Sequence, residues 1–381
     1  MNPRNAPSRL SSDPAPEALS AESRQRLRHI HRTVSDLRRG VPVVLTDGAA
    51  RLALVAAEAA TSAGINELAM LATDPPVLLM APTRGAAVLR RPVERHTDAV
   101  AMRLPASLLE PEALRGIADP TSVQPRGARA AEPAPLPPLA APALVLVKLA
   151  QLLPAALAAF WHGDAAVGLL EVAAADLLAY PGAAASSLHR VAVAQVPLQD
   201  APDARVVAFR ADGSGLEHLA ILVGEPDKVA APLARIHSEC FTGDLLGSLR
   251  CDCGQQLRGA VRRMASEGAG VLLYLAQEGR GIGLINKLRA YALQDRGLDT
   301  LDANRALGWD ADERNFLIAA RMLEQLGISR VRLLTNNPDK LTALAACGVE
   351  IVGREAHTFA PNGVNDEYLA TKAARFGHLL D

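Results

Sequence analysis

Aromatic residues are scarce in this chain: 2 Trp, 4 Tyr and 6 Phe among 381 residues. With few large rings to fill space, its cores must be packed from small aliphatic side chains. Cysteine is equally sparse, at four, which excludes a disulfide-stapled secreted scaffold. An excess of one charge is lacking too: 40 Lys and Arg face 41 Asp and Glu, for a formal net charge of −1. A general nucleic-acid binder carries a basic excess, so that class is set aside; a nucleotide substrate needs only a few placed cations. No apolar run reaches the roughly 20 residues of a membrane-spanning helix. The longest, 143–161, is interrupted by Lys148, Gln151 and Pro154. Residues 1–20 hold four Pro and several Ser around no apolar core, and read as a disordered leader rather than a secretory signal. The expectation is a cytoplasmic chain whose cysteines are thiols or metal ligands.

What is present is bulk apolar content, 49% of the chain, enough for two domains of ordinary size. Apolar periodicity alternates between helical and extended. A basic amphipathic helix is predicted over 21–39, ended by Gly40, then a strand over 41–46, an Ala-rich helix over 52–63 and a buried strand over 77–81. Residues 120–142, rich in Pro, Ala and Arg, read as a linker, and 144–161 as a helix broken at Pro154. Strands at 205–210 and 216–223 flank the turn Ala211-Asp212-Gly213-Ser214. Further on, helical spacing at Leu257, Val261 and Met264, a strand at 271–275, a helix at 284–295, a helical face through Phe316, Ala320 and Leu323, and a strand at 331–334 complete an α/β (α+β) pattern of two domains, the C-terminal one with a mixed sheet and flanking helices.

Cys240, Cys251 and Cys253 form C-x10-C-x-C, with Cys347 remote in a helix-like stretch and read as buried and inert. Three clustered thiols without a fourth are what an open zinc site requires, three protein ligands leaving one position for water. A structural zinc with a distant fourth ligand, or three core cysteines, is the bland alternative. His237 and Glu239 place acid–base groups beside the first thiol, and Arg235, Arg250 and Arg258 make the segment electropositive, favouring thiolates. Two strand–loop–helix junctions suit phosphate: Gln277-Glu278-Gly279-Arg280-Gly281-Ile282-Gly283, and Thr335-Asn336-Asn337-Pro338 leading to Lys340. The charged cluster Asp310-Ala311-Asp312-Glu313-Arg314 is predicted to open a helix, as a cap or as part of a site. A triphosphate would draw on Mg²⁺ and several of Arg235, Arg280, Arg314 and Lys340.

Together these segments resemble GTP cyclohydrolase II over roughly 203–381. The carriers are 235–244, Ser248-Leu249-Arg250-Cys251-Asp252-Cys253-Gly254, 277–283 with Asn286-Lys287-Leu288-Arg289-Ala290-Tyr291, Asp312-Glu313-Arg314 and 333–338. The resemblance implies one zinc per subunit on Cys240, Cys251 and Cys253, and GTP contacts from Arg235, Ile236, His237, Ser238, Glu239, Gln256, Glu278, Gly279, Arg280, Thr300, Thr335 and Lys340. It implies Asp312 as proton acceptor, Tyr291 near the opening ring, and Arg314 in the place of a residue assigned as nucleophile toward the α-phosphate. A guanidinium stays protonated, so a charge clamp suits Arg314 at least as well. The implied reaction opens the guanine imidazole ring and releases formate and pyrophosphate, the first step of riboflavin synthesis, in a homodimer using Mg²⁺. Two other classes compete. A zinc deaminase shares the three-Cys zinc and nearby Glu, but its Pro-Cys-x-x-Cys element is absent. A non-catalytic GTP-sensing paralogue would have no reason to keep Asp312, Arg314 and Tyr291.

Residues 21–200 resemble a degenerate 3,4-dihydroxy-2-butanone 4-phosphate synthase through Asp36-Leu37-Arg38-Arg39-Gly40, Gly64-Ile65-Asn66 and 149–155. The acidic cluster that family needs after its first strand is replaced by Gly48-Ala49-Ala50-Arg51-Leu52-Ala53. Its His-Thr-Glu is replaced by Ala140-Ala141-Pro142-Ala143, while His96-Thr97-Asp98 lies too early. Without those ligands Mg²⁺ has no evident seat, so this domain is expected to be inactive and to serve folding, dimerisation or regulation.

Overall fold

Two seven-stranded sheets organise the chain. The computed structural model describes residues 19–379 apart from 94–96 and 162–167; all but the last two residues of the expected leader, and His96, lie outside the described residues. The first sheet comprises β1 (Val43–Asp47), β2 (Ala50–Ala56), β3 (Val77–Met80), β4 (Val100–Arg103), β5 (Glu132–Pro133), β6 (Ala155–Phe160) and β7 (Glu171–Ala173), in the order β5-β4-β3-β6-β2-β1-β7. Helices α1 (Ala21–Arg38), α2 (Ser62–Leu71), α3 (Pro82–Leu89), α4 (Pro111–Ala118), α5 (Ala140–Leu149) and α6 (Ala174–Ser186) surround it.

Two helix expectations fail here. Residues 52–63 contain the end of β2 and a turn, with α2 starting only at Ser62, and 144–161 divides into the end of α5 and strand β6. Alanine favours helix by well under 1 kcal/mol per residue, about as weak a bias as local sequence offers. Burial on both faces outweighs it. Along β2, Leu52, Leu54 and Ala56 enter one apolar cluster, and Ala53 and Val55 enter the other. On β6, Ala156 and Ala158 likewise alternate with Leu157 and Ala159. Small residues let helices approach both sides of a central strand pair, and the period of two shows only once both cores exist.

The second sheet holds β8 (His189–Gln195), β9 (Arg205–Arg210), β10 (Glu217–Val223), β11 (Leu233–Ser238), β12 (Gly270–Leu275), β13 (Arg330–Leu334) and β14 (Glu350–Glu355), in the order β14-β13-β11-β12-β10-β9-β8. Since β8 pairs with β9, this sheet takes in residues ahead of position 203. It is mixed as expected: β8, β9, β10 and β12 pair antiparallel, while β12, β11, β13 and β14 run parallel. On it pack α7 (Cys253–Glu267), α10 (Leu317–Gln325) and α11 (Pro338–Ala346), while α8 (Leu284–Gln294) and α9 (Thr300–Ala306) join the apolar cluster of the N-terminal half and α12 (Asp366–Phe376) lies against α9. The cluster at 310–314 does not open a helix; it lies in a non-helical loop, and α10 begins three residues later, where Asn315 accepts from the Leu317 amide. Cys347 caps the end of α11 and is half-buried rather than buried.

Candidate active site

Parallel strands deliver their following loops to one edge of a sheet, and the crevice there is the usual ligand site of α/β architectures. The two strand–loop–helix junctions singled out in the sequence follow β12 and β13, and the first cysteine follows β11, which lies between those two strands. Their loops therefore meet in one cleft, about 1120 Å³ counted with its open mouth. Along β11 the side chains alternate: Ala234 and Ile236 enter the core, while Arg235 and His237 face the cleft.

After β11 the chain makes one turn of π-helix, Phe241–Leu245, that folds Cys240 back toward Cys251 and Cys253 at the start of α7. The three sulfurs lie within 4.8 Å of one another and could hold a metal ion. Cys240 Sγ is 3.8 Å from Cys251 Sγ. Gly243 is required at this turn, because a β-carbon there would stand 2.7 Å from Cys251 Sγ and 2.9 Å from Cys240 Sγ. Asp244 fixes the turn: it accepts from the Cys240 amide at 3.0 Å, from the Tyr274 hydroxyl at 3.1 Å, and lies 3.1 Å from His237 Nε2. Hydrogen bonds from Cys251 and Cys253 hold the Cys240 thiol far toward thiolate, with the Lys287 ammonium adding to the effect. The Cys251 thiol is pushed up to about 11, first by its bond to Cys240. Such a trio gives up one proton readily and resists losing more, a resistance that a bound cation removes.

The junction after β12 is strained. Gly279, Arg280 and Gly281 all take φ between +64° and +96°, and for Arg280 that conformation costs about 1–2 kcal/mol. It buries Glu278, whose carboxylate accepts from the Phe241 amide at 2.7 Å and the Gly279 amide at 3.1 Å, and pairs with Lys287 at 2.8 Å. Glu278 thus ties the second loop to the first. Arg280 is turned toward α12, where its guanidinium stacks 3.8 Å from the Phe376 ring.

Cations crowd the opposite wall. Arg235 is buried, donates to Gln256 and to the Leu334 carbonyl, and burial lowers its pKa to about 10. Lys340 donates to the Ile236 carbonyl at 3.0 Å; burial first, then Arg314 and Arg235, drive its pKa well below the ordinary lysine value. Arg314 forms a two-pronged pair with Asp312 and reaches Ser238 Oγ at 3.5 Å. Burial pushes the Asp312 carboxyl up, but Arg314 outweighs it and leaves it below its usual range. Among the described residues, His237 Nδ1 and Arg235 Nε are buried without a hydrogen-bond partner. Buried polar atoms are rarely left so, and both side chains line the cleft.

Of the residues picked from the sequence, the three cysteines, Arg235, His237, Ser238, Glu239, Gln256, Glu278, Gly279, Arg280, Tyr291, Thr300, Arg314, Thr335 and Lys340 line this one cleft. Ile236 does not; its side chain is in the core and its carbonyl is taken by Lys340. Asp312 stands behind Arg314 on the exposed side. The cleft also contains Lys287, Arg250, Tyr368, Lys372 and His378.

The GTP cyclohydrolase II family model matches residues 189–356. GTP cyclohydrolase-2 of Azospirillum brasilense is 47% identical over 386 residues, covering 97% of this chain and 98% of that protein. The chain belongs to the GTP cyclohydrolase II family. It is accordingly an enzyme, a hydrolase. GTP cyclohydrolase-2 of Pectobacterium atrosepticum is 52% identical over 194 residues, 51% of this chain and 98% of its own length, so that relative matches only about half of this molecule. Among solved structures, a two-domain 3,4-dihydroxy-2-butanone 4-phosphate synthase from A. baumannii aligns over 86% of this chain and 98% of its own, at 18% identity and a TM-score of 0.32.

The residues in and around this cleft that the sequence alone did not reveal fall into two sets. Lys287 lay inside a quoted motif, yet nothing local showed that its ammonium meets Cys240 Sγ at 3.0 Å. Tyr368, Lys372 and Phe376 recur every fourth residue along one face of α12, a spacing that marks a packed face but not what it packs on. Lys372 anchors that helix through a buried 2.7 Å pair with Asp252.

Proposed function

We propose that this enzyme opens the imidazole ring of GTP, releasing formate and pyrophosphate and leaving 2,5-diamino-6-(5-phospho-ribosylamino)pyrimidin-4(3H)-one, the first step of riboflavin synthesis. The observation that carries the reading is the placement of a three-thiol cluster and a cationic wall in one cleft. The thiols fit zinc. Sulfurs about 2.3 Å from a common tetrahedral ion sit about 3.8 Å apart, the separation found between Cys240 and Cys251. With three ligands from Cys240, Cys251 and Cys253, zinc would supply a Lewis acid that activates water for attack on the ring.

The chain's own side chains do the rest. Burial, then the charges of Arg314 and Arg235, suppress protonation of Lys340, and Arg314 adds to burial in doing so at Arg235; a polyanion relieves that repulsion, and a triphosphate carrying Mg²⁺ meets the condition. Arg314, held rigid by Asp312, clamps the α-phosphate, and the ionised Asp312 can accept a proton beside it. Tyr291, 3.4 Å from Thr242 Oγ1 and stacked beneath Arg250 at 5.0 Å, lies beside the metal turn, where the ring would open. His237 is kept neutral by burial, which outweighs the hydrogen bond to Asp244, and orients rather than charges the pocket. We further propose a cytoplasmic homodimer whose residues 21–200 are an inactive relic of a dihydroxybutanone-phosphate synthase, with 203–381 as the cyclohydrolase part. No described helix is long and apolar enough to cross a membrane.

Incubation with GTP, Mg²⁺ and zinc, followed by mass analysis of the pyrimidine with formate and pyrophosphate assays, tests the reading. Formate and pyrophosphate should appear together, and Cys251→Ser should lose metal and formate together. Ammonia in place of formate would point to deamination, and tight GTP binding without turnover to a sensor.

A further inference from the structure

The N-terminal sheet region grips the back of a helix whose front faces the cleft. On α8, Lys287, Tyr291 and Gln294 line the cleft, Ala290 is buried between the cleft and the other face, and Asn286 and Leu293 are buried on that other face. That second face is where the two halves meet: Ala290 and Leu293 share one apolar cluster with Leu68, Ile117 and Leu153 of the N-terminal half. At its centre Arg289 Nη2 donates to Glu58 Oε1 at 2.9 Å, and Nε donates to Asp119 Oδ2 at 3.0 Å. All three side chains are at most 17% exposed.

The acceptors are themselves fixed. Glu58 accepts from the Leu153 amide at 2.7 Å, and Asp119 from the Thr121 amide at 2.8 Å. Asn286 adds a 3.0 Å bond to the Gln151 carbonyl and steadies Arg289 Nη1 at 2.8 Å. A guanidinium held by two carboxylates is directional in a way a single charge pair is not.

We propose that Arg289, clamped by Glu58 and Asp119, is a positioning residue for catalysis: the N-terminal half, whatever its own history, sets the rotation and depth of α8 and thereby places Tyr291 and Lys287 against the metal turn. This rests on the reading of the cleft given above. It carries a specific kinetic signature. The cations proposed to bind the triphosphate, Arg235, Arg280, Arg314 and Lys340, stand on β11, β13's following helix and the loops, and none stands on α8. Loosening α8 therefore misplaces the group at the opening ring and spares the groups that hold the phosphates. Misplacement of a reacting group by about 1 Å costs on the order of a hundredfold in rate.

The test compares full-length, zinc-loaded wild type with Arg289→Met, Arg289→Lys and the double variant Glu58→Gln/Asp119→Asn, which breaks the clamp from the other side while keeping volume. Steady-state formate release is normalised to bound zinc, and hydrogen exchange is followed by mass spectrometry. For Arg289→Met and the double variant, kcat per zinc should fall by about ten- to a hundredfold with the KM for GTP within about threefold. Amide exchange should rise in 284–294 and not in 233–238 or 338–346. Arg289→Lys, which keeps one pair, should recover most of the rate. Unchanged kcat per zinc in folded variants, or equal rises in exchange throughout the C-terminal half, would overturn the clamp. Absence of formate from the wild type would instead overturn the reading of the cleft.

Discussion

Replacing Gly243 with Ala is a one-carbon test of the metal site. The added β-carbon would meet Cys251 Sγ at 2.7 Å, Cys240 Sγ at 2.9 Å and Cys253 Cβ at 3.0 Å. Comfortable contacts of this kind begin at about 3.5 Å, so the turn and the two sulfurs must separate by roughly 0.6–0.8 Å, the shortfall from that contact distance. Ligand distances at a metal site tolerate only about 0.2 Å of error. The site therefore cannot keep both its geometry and the methyl group. The backbone itself has no need of glycine here, since Gly243 is not in the left-handed region. The bonds that close the turn, Asp244 N–H to the Cys240 carbonyl and Ser248 N–H to the Thr242 carbonyl, remain available. The expected result is a fold that melts cooperatively, with zinc affinity down by about 10- to 100-fold, the range for disturbing a metal's supporting residues. Zinc per chain after dialysis and competition with a chromophoric chelator read this out, with circular dichroism as the folding control. Wild-type zinc affinity in a folded Gly243→Ala protein would refute the claim that these sulfurs converge on one ion.

Other expectations follow from titration and from the N-terminal half. His218 is buried, accepts the Ala276 amide at 3.1 Å, and its pKa is lowered to about 4 by burial. The unfolded chain binds that proton near 6.5 and the folded chain only near 4, so this contribution to stability is present at neutral pH and is lost as pH falls through that window. The gap amounts to about 3 kcal/mol; melting curves at pH 7 and pH 4.5 should show a smaller acid loss for His218→Asn than for wild type, and equal losses would contradict it. Lys340, its protonation suppressed by burial and by Arg314 and Arg235, should regain its proton when a triphosphate binds. Calorimetry of GTP binding in buffers of different ionisation enthalpy should then record proton uptake at alkaline pH, abolished in Lys340→Met. The purified protein should release no formate from ribulose 5-phosphate, and measurable release would restore a catalytic role to the N-terminal half.

The site was legible in the sequence to the extent that its chemistry is local. C-x10-C-x-C, the glycine run at 279–283 and the junction 335–340 are each contiguous, and parallel strands deliver such junctions to one edge whatever the rest of the chain does. Legibility stopped where placement depends on distant partners. Ile236 belongs to the same contiguous motif as Arg235 and His237, but the period of two sends its side chain to the core. β2 and β6 read as helices because alanine's preference was visible and the two cores flanking them were not. The face of α12 could be found by periodicity, but its seat over Arg280 could not. The Arg289 clamp joins residues 231 and 170 positions apart, beyond any local signal.

The central claim is that three sulfurs hold one ion and leave a corner for solvent. X-ray absorption at the zinc edge of the substrate-free, zinc-loaded protein measures this directly. The account predicts three sulfur neighbours at about 2.3 Å and one oxygen at about 2.0 Å, the oxygen displaced or perturbed when GTP is added. Four sulfur neighbours, or a fourth protein side chain unmoved by GTP, would contradict it.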